Sequence, residues 1–160
     1  KYSKINQLID RVDNGITSNI TKIIIRRDLK ALLNQFAQYE LCFGNRFYIN
    51  PAGFNIKSTG FTVSGSTDIA YLTDVPNKDA SGNLDGSMMG TISVVAKNNK
   101  NQQVVLIKDA GVVDYKKGEV ILNTINITST VAENNIIEVQ AYPESNDVVG
   151  LRERIIYVTI

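Results

Sequence analysis

The chain has 160 residues, of which 17 are Lys or Arg and 16 Asp or Glu, for a formal net charge of +1. At 43% hydrophobic and 21% charged residues it has ordinary globular usage. The near-zero balance argues against wholesale binding to nucleic acid or an anionic membrane, which needs a clustered excess of Lys and Arg. There is no His and a single Cys, Cys42. That removes Ser-His-Asp and Cys-His catalysis, His-bearing zinc sites, four-cysteine metal clusters and intrachain disulfides. No apolar run approaches the roughly 20 residues of a membrane span, and no signal-peptide pattern opens the chain. A start at Lys1 and an end at Val158-Thr159-Ile160, which reads as a strand cut in mid-course, suggest a piece excised from a larger polypeptide.

Ile, Val and Thr together supply 46 of the 160 residues, favouring pleated, half-buried surfaces over helices. The exception comes first. Ile5, Leu8, Ile9 and Val12 fall on one helical stripe, with Ser3 to cap the start and Asn14-Gly15 to stop it. From Thr21 the period becomes two: Ile23, Ile25, Arg27 and Leu29 point inward, and Lys22, Ile24, Arg26, Asp28 and Lys30 point outward. A helix over residues 26–34 competes, using Leu29, Leu32 and Leu33; we favour strand to Leu29 and a short helical turn after it. Tyr39, Leu41 and Phe43 alternate with polar neighbours as far as Gly44-Asn45, and residues 46–49 return. Short strands follow around Phe54 and Ile56, around Phe61 and Val63, and over residues 69–75.

Residues 76–90, rich in Asn, Asp, Ser and Gly, are long for an unstructured connection and mark a lobe boundary or a loop with a task. Strands are then expected over residues 91–96, 103–108, 111–115, 119–122, 125–128, 136–142 and 154–160. Gly118 supplies the left-handed position of a hairpin, and a helical turn is placed over residues 148–151. The sum is an α+β chain, mainly antiparallel β with one N-terminal amphipathic helix, made of short strands and hairpins. Two lobes, residues 1–75 and 91–160, would be joined by the loop 76–90.

The constellations that could carry chemistry have plain structural readings. Asp74, Asp79, Asn83, Asp85 and Gly86 invite calcium, but no register supplies both a Gly at the sixth position and a Glu at the twelfth, so a turn-rich solvated loop is favoured. The acids Glu40, Asp68, Asp114, Glu119 and Glu138 alternate outward or sit in turns, which does not suit a paired-carboxylate hydrolase. Lys22, Arg26, Arg27 and Lys30 form a basic group, interrupted by Asp28 and without interleaved aromatics, better read as the rim of a protein interface than as a nucleic-acid stripe. Seven Tyr and no Trp suit hydrogen-bonded interfaces as well as cores. Tyr39 and Tyr71 read as core, while Tyr115 and Tyr142 read as candidate interface residues.

Three stretches carry a resemblance. ITSNITKIIIRRDLKALLNQFAQYELCFGN (residues 16–45), VVLIKDAGVVDYKKGEVILNTINI (104–127) and IIEVQAYPESNDVVGLRERIIYVTI (136–160) resemble the C-terminal region of the large baseplate wedge protein of T-even-type contractile-tailed bacteriophages. The resemblance implies a structural virion protein of the tail baseplate, assembled in the host cytoplasm, with no catalysis and no cofactor. Its partners would be other copies of itself and other wedge proteins, joined into a ring around a hub, with no nucleic acid or membrane partner. The long N-terminal region of a full family member is missing. Subunit contacts are expected from the first helix (Ile5, Leu8), the charged strand face (Lys22, Arg26, Arg27, Lys30), Tyr115, Tyr142, and the segment 143–154 with Arg152 and Arg154. The alternative is a carbohydrate-binding adhesion module of the tail, for which the sequence offers no evident ring-stacking platform.

Overall fold

A computed structural model describes residues 22–145 and the backbone of a last strand, Ile155–Thr159. Within these residues ten antiparallel strands follow one another: β1 Lys22–Lys30, β2 Phe36–Cys42, β3 Ile56–Ser58, β4 Phe61–Val63, β5 Ala70–Pro76, β6 Met89–Lys97, β7 Gln103–Asp114, β8 Glu119–Thr130, β9 Ile136–Ala141 and β10 Ile155–Thr159. The α+β expectation is corrected: the described residues hold only strands and the loops between them, apart from a three-residue 3-10 turn, Glu133–Asn135. No helical turn follows Leu29, because β1 runs to Lys30 and turns directly into β2. The helix expected around Ile5 and Leu8, and the turn over residues 148–151, lie outside the described residues.

The strands form two sheets. One has the order β10-β1-β9-β3; in the other, β4, β5, β6, β7 and β8 close on themselves, with β2 added along β8. Closure gives each barrel strand a neighbour on both sides, which satisfies backbone groups that an open edge would leave to solvent. The long strands make it possible. β7 pairs with β6 from Gln103 and with β8 from Gly111, and register shifts near Ser93 bend the ladder between the two. At that bend the Ser93 hydroxyl donates to the Lys108 carbonyl at 2.7 Å. Any side chain at Gly111 would sit 2.1 Å from the Ile121 carbonyl oxygen, so the approach of β7 to β8 requires glycine there. Gly118 has φ +71° and closes the β7–β8 turn, as its position in the sequence implies.

One core serves both sheets. Ile23, Ile25 and Leu29 of β1, with Ile137 and Val139 of β9, join Phe61, Ile92, Val113, Leu122 and Ile127 of the barrel. Phe43 and Phe47 add an edge-to-face ring pair, centroids 5.1 Å apart at 79°. The loop 76–90 connects residues that share this core on either side of it. It extends the hairpin of β5 and β6, which pair from Ala70↔Ala96 to Pro76↔Gly90. Its backbone folds back on itself through Asp79 N–H to Asn83 O at 2.8 Å and Asn77 N–H to Met89 O at 2.9 Å.

Candidate protein interface

Alternation on β5 gives that strand two unlike faces. Ala70, Leu72 and Asp74 point into the barrel, and all three are buried. Tyr71, Thr73 and Val75 point outward, opposite Val95, Ser93 and Thr91 of β6.

The inward carboxylate of Asp74 is the centre of a sealed polar hub. Its Oδ1 accepts from Ile56 N–H at 2.7 Å, and its Oδ2 accepts from Asn55 Nδ2 at 2.9 Å and from the Tyr115 hydroxyl. A buried charge persists when donors replace its lost hydration, and three converge here. The hub also fixes the loop before β3: Phe54 N–H donates to the Asp74 carbonyl at 3.2 Å, and Asn50 N–H donates to Asn55 Oδ1 at 2.6 Å. Tyr115 is fully buried, and burial followed by the neighbouring Asp74 charge pushes its phenol far above the usual tyrosine range. Its expected interface role is therefore corrected to a core role.

Above the outer face lies an open groove of about 440 Å³, bounded by Phe54, Lys57, Tyr71, Val95, Lys97 and Gln103. Phe54 is 52% exposed and Tyr71 40%, so the reading of Tyr71 as core is also corrected. Thr73 forms a piece of the floor, and its buried hydroxyl makes no hydrogen bond among the described residues. The apolar surface continues beyond the groove. A Cβ on Gly60 would meet Ile69, Val131 and Tyr71 at 2.6, 3.0 and 3.5 Å, so these three side chains converge over a bare backbone. Ile69 and Val131 are both substantially exposed. Two lysines flank this surface, and among the described residues no acid lines the groove.

The residues singled out from sequence are scattered. Ile5, Leu8, Arg152 and Arg154 lie outside the described residues, and only the backbone of Lys22 is described. Arg26 pairs internally with Asp28 at 2.9 Å and with Glu138 at 2.8 Å. Arg27, on the opposite face of β1, is half-buried, and Lys30 donates to the carbonyl of Asn134. Tyr142 is half-buried, with the Lys57 ammonium 5.9 Å from its ring centre. The charged residues of β1 thus act mainly on their own chain.

The loop acids are likewise used locally. Asp79 Oδ1 accepts from the Ser81 and Asn83 amides at 2.8 and 3.1 Å. Asp85 Oδ1 accepts from the Ser87 amide and hydroxyl, which holds its carboxyl below the usual range. Asp74, grouped with them in sequence, is turned away into the hub. Glu40, Cys42 and Glu119 meet at the surface of β2 and β8, with the thiol sulfur 3.7 and 3.9 Å from the two carboxylates, either of which can accept its single proton. Burial, then Glu119 and Glu40, push that thiol up.

Sequence reasoning misses Phe54 and Ile69 as surface residues. The one signal the chain offers is their isolation, since each lies beside a turn where burial by a neighbouring strand is not assured. Comparison with protein-family models, with curated proteins and with solved structures finds no match.

Proposed function

We propose that this chain is a structural assembly module that works by docking its folded surface against other proteins. The specific form is a piece of the C-terminal region of a baseplate wedge protein in a contractile phage tail, joining copies of itself and other wedge subunits into a ring. The observation that carries the assembly reading is the apolar surface of Ile69, Tyr71, Val131 and Phe54, continuous with the groove. Large side chains left together in water mark contact sites, and aromatic residues are favoured anchors at the centres of interfaces. The resemblance of the three sequence stretches supports the baseplate setting.

Light scattering on the purified chain, alone and mixed with wedge subunits of a contractile tail, tests this reading. The wild type should form complexes, and a Tyr71→Ser, Ile69→Ser double variant of unchanged thermal stability should not. A variant that assembles like wild type would overturn the docking role of this face. A wild type that stays monomeric beside every tail subunit would overturn the reading as a whole. Charge reversal at Arg26 would be a poor probe, because an acid placed there would face Asp28 and Glu138 and damage the fold.

A carbohydrate-binding module of the tail is the second reading, favoured by the ring faces of Phe54 and Tyr71 at the groove. Ile69 and Val131 extend the surface without hydroxyl-binding groups, which suits a protein partner better. Binding on a glycan array that disappears in Tyr71→Ala would reverse this preference.

A further inference from the structure

We propose that the occupant of the groove is a second copy of this chain, which inserts the outer face of its β2 so that copies associate head to tail. This rests on the assembly reading and assigns the two surfaces through which copies would meet. Phe36, Gln38, Glu40 and Cys42 alternate along β2 and are all exposed. Phe36, at 71%, is the most exposed large apolar side chain among the described residues. Glu40 follows four residues along the same face, about 13 Å away at the rise of an extended strand. Glu119 lies opposite Cys42, and Ile121, opposite Glu40, adds exposed apolar area. The upward push that Glu119 and Glu40 exert on the Cys42 thiol reports a locally negative field, which Arg27 only partly offsets.

The two surfaces are complementary. One offers an exposed ring at one end of β2 and two carboxylates toward the other end; the other offers a groove with two rings, rimmed by Lys57 and Lys97 and lined by no described acid. An aromatic anchor entering a pocket, with opposite charges at the rim, supplies both affinity and register. Their placement decides the symmetry. In the closed order β4-β5-β6-β7-β8, strand β8 is separated from β5 by β4 and from β6 by β7, so β2 beside β8 lies across the barrel from the groove. One copy can therefore use both surfaces at once. Such a contact is heterologous and propagates until it closes into a ring or runs on as a filament.

Reciprocal charge reversal tests the pairing. One variant carries Lys57→Glu and Lys97→Glu; the other carries Glu40→Lys and Glu119→Lys. All four side chains are exposed or half-exposed, and thermal melts establish that both variants fold. In light scattering the wild type should self-associate, and each variant alone should associate about tenfold or more weakly. An equimolar mixture of the two should recover association, since each reversed groove then meets an oppositely charged β2 face. Phe36→Ser should weaken association without restoring it in any mixture.

A monomeric wild type, or variants that associate like wild type, would overturn the proposal. A mixture that stays apart would overturn it too. The assembly reading would survive such a result if Tyr71→Ser, Ile69→Ser still abolished binding to wedge subunits, and would fall with it otherwise.

Discussion

The two faces of β5 share a backbone and a neighbour, yet one is sealed and the other open. On the inner face Asp74 is a buried charge enclosed by Asn55, Ile56 and Tyr115. On the outer face Tyr71 and Val75 are bulky and left in water. The hydrophobicity of these side chains alone would bury Tyr71 and Val75 and expose Asp74. The difference teaches that burial follows from what covers a position. The barrel interior covers Asp74 whatever its polarity, and the described chain covers Tyr71 only in part, leaving it 40% exposed.

Substitutions on the two faces should separate accordingly. The largest effect belongs to Asp74→Asn. Three donors converge on the carboxylate, and an amide offers one acceptor oxygen and a competing NH2, so a loss of about 3 kcal/mol is expected in urea unfolding. A change near zero would mean that the hub contributes nothing to stability.

Tyr115→Phe removes one donor from the same hub and should cost about 1–2 kcal/mol. It carries a pH signature as well. The fold holds the Tyr115 phenol neutral beyond the pH near 10 at which an unfolded tyrosine ionises. This contribution is complete below about pH 10 and is lost as pH rises toward the folded value, with a limiting slope of about 1.4 kcal/mol per pH unit. Thermal melts across the alkaline range should show that decline in wild type, and a shallower one in Tyr115→Phe.

On the outer face the sign turns. Thr73→Val replaces a hydroxyl that has no partner among the described residues by a methyl of similar shape, and should be neutral or stabilising by up to about 1 kcal/mol. A loss of similar size would show that the hydroxyl has a partner in solution. The smallest effect is expected for Val75→Thr, within about 0.5 kcal/mol, because the side chain is already in water and both residues suit a strand.

Patterns in the chain are legible where their determinants are local. The alternation of β1 puts Ile23, Ile25 and Leu29 inside, as they are, and Gly118 marks its hairpin turn correctly. The interface residues are not legible in the same way. Tyr115 sits next to a turn and reads as exposed, but the end of β7 curls over Asp74, 41 residues away in sequence. Arg26 reads as open to a partner, but β9 brings Glu138 against it. In each case the deciding group comes from a distant strand.

By itself the sequence determined the β-rich character, most of the strand positions and, on β1, which side of the strand is apolar. These follow from side-chain branching, a period of two and turn chemistry, all set within a few residues. Only the tertiary structure decided that β4 to β8 close into a barrel sharing one core with a second sheet. It alone decided that Asp74 is enclosed and that Phe36, Phe54 and Tyr71 stand in water. Those outcomes depend on which strands become neighbours, and long-range pairing selects among many registers that local sequence leaves equal.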